Sequence, residues 1–260
     1  MKKRALALLL ALVATAGFVQ PASAAQPAIV GGGEADQAYP FAVALLRASG
    51  RLFCSGSLVA PTWVLTAAHC VDGKNPEVLS ARVGSNDATA GGEIAQPVEF
   101  VIHPDNNPVA GGDIALVRLD KPVLAAPITL GAVTVPGTPT RLLGWGQTCP
   151  TLSCAPTPAK LQQLDATIVE ATSCTAAFDL EHELCVENPG GDKGTCYGDS
   201  GGSQVANVDG AWVLLGVISR PGNGDPVCAT APSITSSAVA YADWIKEKIT
   251  PAAPVAPAAP

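Results

Sequence analysis

Short runs rich in Val, Ile, Leu and Phe recur along this chain, each closed off by Gly, Pro, Asn or Asp. They fall at 41–47, 52–59, 78–83, 98–102, 114–119, 141–145, 166–169 and 212–219. Runs of this length and spacing predict strands of an all-β sandwich or barrel. The clearest helical stretch is at 241–249, where Tyr241, Trp244, Ile245 and Ile249 recur at helical spacing. The globular part is long for one barrel, so two β modules are expected. Hydrophobic residues make up 48% of the 260 residues and charged residues only 14%. That composition excludes an intrinsically disordered chain.

The first 24 residues have three zones. Lys2, Lys3 and Arg4 form a basic head, an apolar run follows, and Ala22-Ser23-Ala24 is a small-residue cleavage site. This is the anatomy of a secretory signal. The apolar run is short for a membrane span, so no lasting anchor is expected. Loss of the three basic residues would take the net charge from −7 to −10. So acidic a chain argues against nucleic acid as a partner, because phosphate binding needs a basic face. Export permits disulfides. Eight cysteines are available: Cys54, Cys70, Cys149, Cys154, Cys174, Cys185, Cys196 and Cys228. Spacing alone does not choose among their pairings. No C-x-x-C pair occurs, which argues against a zinc site; no metal and no cofactor are expected. Residues 25–28 form a short stub, and 251–260 a Pro/Ala tail that cannot build a core.

The chemistry centres on Gly198-Asp199-Ser200-Gly201-Gly202. Flanking glycines let the backbone turn sharply and leave a hydroxyl accessible. Serine needs a general base, most often histidine. The chain has three: His69, His103 and His182, all before Ser200. The order serine–acid–histidine of α/β-hydrolases is therefore excluded. An order acid–histidine–serine would need Glu34 or Asp36, whereas histidine–acid–serine fits the β-rich pattern. His69 sits among small residues in Thr66-Ala67-Ala68-His69-Cys70 and is the candidate base. His103-Pro104-Asp105 reads as a surface turn, and Glu181-His182-Glu183 as a solvated acidic run. Asp113, just before an apolar strand, is the candidate acid; Asp72 and Asp87 sit in turns.

These residues resemble the trypsin/chymotrypsin-like serine endopeptidases, in particular a secreted bacterial member. The resemblance spans 29–249. It rests on five motifs in order: Ile29-Val30-Gly31-Gly32, Thr66-Ala67-Ala68-His69-Cys70, Asp113-Ile114-Ala115-Leu116, Gly144-Trp145-Gly146 and Gly198-Asp199-Ser200-Gly201-Gly202. It implies two antiparallel six-stranded β-barrels, 29–133 and 134–250, with the active site between them and a C-terminal helix. It also implies that Ser200 attacks the peptide carbonyl, that His69 relays the proton, and that Asp113 orients the ring. The N–H groups of Gly198 and Ser200 would form the oxyanion hole. The implied disulfides are Cys54–Cys70, Cys174–Cys185 and Cys196–Cys228, leaving Cys149 and Cys154 to pair locally.

In such a family a precursor is cut before Ile29, here by a protease acting after Ala28. The new amine then buries against Asp199. The pocket base falls at Gly194, with Thr195 and Ser233 on its walls. An uncharged base implies a neutral residue on the amino side of the cut bond (P1). Ser219-Arg220-Pro221 departs from the usual Ser-Trp-Gly. Pro221 has no N–H for the substrate backbone, and Arg220 places a cation near the cleft that would favour acidic groups. The expected protein is a secreted monomer acting on proteins or peptides. The rivals are a catalytically silent binding protein of the same fold and a secreted esterase.

Overall fold

The computed structural model describes residues 29–107 and 110–250. The expected signal (1–24), the stub (25–28) and the tail (251–260) lie outside the described residues. The chain opens with β1 (Gly33–Glu34), β2 (Ala42–Arg47), β3 (Leu52–Ala60), β4 (Trp63–Thr66), β5 (Leu79–Val83), β6 (Glu93–Ala95), β7 (Pro97–Ile102) and β8 (Ala115–Leu119). The second half adds β9 (Thr129–Leu130), β10 (Pro139–Gly144), β11 (Gln162–Val169), β12 (Glu183–Val186), β13 (Ser203–Val208), β14 (Ala211–Pro221) and β15 (Ser233–Ser237). Two α-helices complete the described chain, α1 (Ala68–Val71) and α2 (Ala242–Ile249).

Two β modules are present, but they close differently. The second is a closed ring of six strands in the order β11-β10-β13-β14-β15-β12, with β12 pairing back onto β11. The first is a curled sheet in the order β6-β5-β2-β3-β4-β8-β7. Its two end strands, β6 and β7, follow one another in the chain, β6 pairing with β5 and β7 with β8. Gln96 is the single residue between them. The chain stops pairing with β5 there and starts pairing with β8. Pro97 then has no N–H to extend a ladder. Asp120, just past β8, pins the corner: its Oδ1 accepts from Gln96 N–H at 2.9 Å, and its own N–H donates to Gln96 O at 2.8 Å.

The modules are tied together. β1 pairs with β11, and β9 runs parallel to β14, so both ends of the first half are sewn into the second sheet. One apolar cluster runs through both modules, joining Val43, Leu58 and Leu116 to Trp145, Leu161, Val205 and Val217. β5 shows the expected alternation of buried and part-buried residues, while β2 buries five successive residues, covered on both faces. Such shared packing leaves little freedom for one module to shift against the other. The cleft between them is therefore built on stiff walls.

Candidate active site

His69 stands on the four-residue helix α1, directly after β4. Its neighbours Ala67 and Ala68 are fully buried, and Cys70 is disulfide-bonded to Cys54 on β3. Asp113 precedes β8 and uses both carboxylate oxygens on His69. Oδ2 lies 2.8 Å from ring Nδ1, and Oδ1 accepts the backbone N–H at 3.0 Å. Ser219 Oγ donates to the same Oδ2 at 2.6 Å, and Ser236 Oγ donates to the Asp113 carbonyl at 2.9 Å. Burial pushes the Asp113 carboxyl up, but the bonds from His69 and Ser219 outweigh it and hold the group below the usual carboxylate range. The Asp113 side chain is 8% exposed and the His69 ring 45% exposed. The ring is thus anchored at one nitrogen and open to a ligand beyond it.

Ser200 lies in a chain of glycines whose conformations are tightly set. Gly198 has φ +104°, and a Cβ there would come within 3.0 Å of Gly146 Cα. Gly201 has φ +81°, and a Cβ would strike Thr66 Oγ1 and Ser55 O at 2.1 and 2.2 Å. No side chain beyond hydrogen fits there. Asp199, Gly201 and Gly202 donate their N–H groups to the carbonyls of Cys196, Ile218 and Asp199. The N–H groups of Gly198 and Ser200 take no acceptor among the described residues. His69, Asp113 and Ser200 line one cavity of about 490 Å³, with Thr195, Tyr197, Ile218 and Ser219 on its walls. Ser200 and His69 share this cavity without a direct hydrogen bond. Such contacts are often long before substrate binds.

Asp199 is fully buried beneath this loop. Its Oδ1 accepts from Gly146 N–H and its Oδ2 from Cys196 N–H, both at 2.8 Å. A Cβ at Gly144 or Gly146 would strike the carboxylate at 2.2 or 2.3 Å, so Gly144-Trp145-Gly146 is the cradle of this acid. No cation pairs with it among the described residues, and burial pushes its pKa up to about 7. Ile29 is also fully buried, against Leu142, Leu164, Ala166, Val186 and Ile218.

Comparison with known proteins places this geometry. The family model described as Trypsin matches residues 29–245. A trypsin of Saccharopolyspora erythraea is 33% identical over 237 residues, covering 85% of this chain and 98% of that protein. A trypsin of Sarcophaga bullata is 32% identical over 224 residues, covering 81% and 84%. The chain belongs to the trypsin family. It is a trypsin-like serine endopeptidase.

The four disulfides of this trypsin-family enzyme join Cys54 to Cys70, Cys149 to Cys154, Cys174 to Cys185 and Cys196 to Cys228, leaving no free cysteine among the described residues. Of the expected substrate-contacting residues, Thr195, Ser219, Arg220 and Pro221 line the cavity. Gly194 and Ser233 are buried beside it, with Thr195 Oγ1 and Ser233 Oγ 2.9 Å apart.

Three readings of the sequence change. Glu183 is not part of a solvated run: its side chain is fully buried on β12, where it binds Arg220. Arg220 is therefore not a free cation at the cleft, because Glu183 neutralises it. His103 is not a surface-turn side chain either. It is 11% exposed and packs against Tyr241 and Trp244, with ring centroids 4.6 and 5.0 Å apart. His182 stacks on Tyr241 and bonds Asp179 at 2.9 Å, outside the cavity.

The sequence reading missed Ser55 and Tyr197. Ser55 Oγ donates to Gly198 O at 3.0 Å, and Tyr197 OH donates to Pro226 O at 2.7 Å beside the cavity. Neither belongs to a local motif. The position of Tyr197, directly after Cys196 and before Gly198, was the one available signal.

Proposed function

We propose that this enzyme hydrolyses peptide bonds by acyl transfer through Ser200. Ser200 Oγ attacks the scissile carbonyl while His69 takes its proton. His69 then hands that proton to the leaving amine, and water reverses the sequence to release the acyl group. Asp113 keeps the Nδ1–H tautomer and stabilises the imidazolium. The N–H groups of Gly198 and Ser200 bind the oxyanion; one such donor is worth about 2.7–4 kcal/mol. The observation that carries this reading is the double engagement of His69 by Asp113 in the cavity that holds Ser200. An organofluorophosphate should label Ser200 alone, located by peptide mass spectrometry, and labelling should fall as His69 is protonated. Label on any other residue, or none, would overturn the assignment.

Activation follows from Ile29 and Asp199. Ile29 holds φ +51°, a costly conformation for a β-branched residue. Cutting the 28–29 bond removes the preceding carbonyl that makes this φ costly and creates an α-amine, the cation we assign to the buried Asp199 carboxylate, which has none among the described residues. Precursor cleavage after Ala28 by another protease thus relieves two costs together. Gly194 offers no carboxylate, which supports a neutral P1 preference, and Pro221 withholds one N–H from the substrate strand. We read 29–133 and 134–250 as the two halves of a monomer exported by the signal at 1–24. The four disulfides support export, and no described helix is long and apolar enough to cross a membrane.

A further inference from the structure

Glu183 sits behind the wall that carries Asp113. Four donors converge on its carboxylate. Arg220 grips it in a two-point fork, Nη1 to Oε1 at 2.5 Å and Nη2 to Oε2 at 2.9 Å. The backbone N–H of Gly111 donates to Oε1 at 3.0 Å and that of Asp179 to Oε2 at 2.9 Å. The Glu183 side chain is fully buried and that of Arg220 is 19% exposed. Arg220 also donates to Ala177 O at 2.7 Å and to Ser219 Oγ at 3.4 Å. Among the described residues, only the Nε–H of its five N–H donors has no partner.

The partners of this pair are the two segments that hold Asp113. Gly111 lies two residues before Asp113, in a Gly111-Gly112 turn with φ +76° and +67°. That turn is packed closely: a Cβ on Gly112 would strike Asp105 O at 2.2 Å, and Gly112 N–H donates to Tyr241 OH at 2.8 Å. On the other side, Arg220 directly follows Ser219, whose hydroxyl meets Asp113 Oδ2 at 2.6 Å. One buried carboxylate therefore ties the turn before Asp113 to the strand that supplies its serine donor.

We infer that Glu183 and Arg220 are positioning residues for the reaction, jointly setting the direction of the Asp113 carboxylate against His69. The inference rests on the acyl-transfer reading above. The chemistry of the pair is specific. The four partners of the Glu183 carboxylate among the described residues are all donors, so an amide in its place would turn a donor toward donors and leave buried groups unpaired. A lysine in place of Arg220 keeps the charge but loses the planar fork that joins Glu183, Ala177 and Ser219. Either change frees the turn and the strand to move separately. A shift of about 1 Å at a reacting group costs up to about 100-fold in rate.

The test compares wild-type enzyme, Ser200→Ala, Glu183→Gln and Arg220→Lys on one peptide substrate. Circular dichroism reports the fold, and proton NMR follows the low-field His69 Nδ1 resonance. The expected result is a fall in kcat of about 10- to 100-fold in both pair variants, with KM little changed and the Nδ1 resonance moved upfield. If Glu183→Gln does not fold, Arg220→Lys decides. A folded Arg220→Lys with wild-type kcat and resonance would overturn the inference alone. So would a rise in KM with kcat unchanged, which would make Arg220 a substrate contact. Loss of fold in both variants would also overturn it, leaving the pair a structural element. Cleavage retained by Ser200→Ala would overturn the acyl-transfer reading and this inference with it.

Discussion

Ser55 donates its backbone N–H to the carbonyl of Ser200 at 2.8 Å. The residue before it, Cys54, is bonded to Cys70, the neighbour of His69. β3 thus holds the proposed base by a covalent bond and the proposed nucleophile by a hydrogen bond, although the two residues stand in different modules. Their distance is set by one strand of the first sheet rather than by two independent loops.

Replacing Ser200 by alanine should remove peptide cleavage almost entirely, by about 10⁶-fold in kcat. The fold should persist, since no hydrogen bond of the Ser200 hydroxyl stabilises the described structure. Steady-state kinetics with thermal unfolding checks both halves. Residual activity near wild type would exclude Ser200 as nucleophile.

Asp113→Asn should keep the packing but favour the wrong ring tautomer, lowering kcat by about 10⁴-fold. The pH dependence has a defined sign. The folded carboxyl titrates below its ordinary value of 3.8. Its contribution to stability is therefore present above about pH 4 and lost as pH falls through the lower folded value. Acid unfolding of wild type against Asp113→Asn tests this: the variant should lack that part of the acid-induced loss.

The uncut precursor should behave differently from the mature enzyme between pH 4 and 7. Asp199 titrates at about 7 when buried without a cation, against 3.8 in the unfolded chain. A raised folded value means stability that is full below about pH 4 and declines as pH rises to about 7. The loss is on the order of 4 kcal/mol at most. Cleavage before Ile29 would supply an amine and remove the decline. Denaturant melts of the two forms across that range measure it, and parallel curves would refute the Ile29–Asp199 pairing.

A peptide library should show neutral P1 residues cut faster than Lys or Arg. Gly194→Asp should raise cleavage after Lys and Arg by about tenfold or more, since a hydrogen bond to a charged group is worth roughly 1.5–3 kcal/mol. Basic preference already present in the wild type would contradict the assignment of Gly194 to the pocket base.

The bridges should differ in their effect on stability. Cys196 and Cys228 are 32 residues apart, Cys149 and Cys154 only 5. Chain-entropy scaling gives about 4 kcal/mol for the longer loop and about 2 kcal/mol for the shorter. Paired Cys→Ala variants in urea should therefore rank in that order. The longer bridge should also affect substrate binding, because both its cysteines line the cavity.

Much of the candidate site was legible because its proposed chemistry is written in short strings. His69 among alanines, Asp113 before an apolar run and Ser200 among glycines each needs its immediate neighbours, so the requirement is local. Most of the anticipated strands also appear, because residues 79–83 and 114–119 carry patterns set by burial. The missed strands teach the converse. Glu181-His182-Glu183 reads as a solvated acidic run, yet Glu183 opens β12, because pairing with β15 and β11 outweighs local polarity. His103 reads as a turn residue because Pro104 follows it, whereas the packing of α2 buries its ring.

The order of residues along this chain determined which side chains are candidates for reactivity and that the fold is built of strands, because those readings depend on composition and near neighbours. Folding alone decided that Arg220 is neutralised by a carboxylate 37 residues earlier and that Ser55 grips Gly198 from 143 residues away. It also decided that the first sheet turns its corner at Gln96, where Asp120 meets it. The physical reason is common to all three. Hydrogen bonds and ion pairs act over a few ångströms in space, and only a packed core can bring remote segments within that reach and exclude the water that would otherwise weaken them.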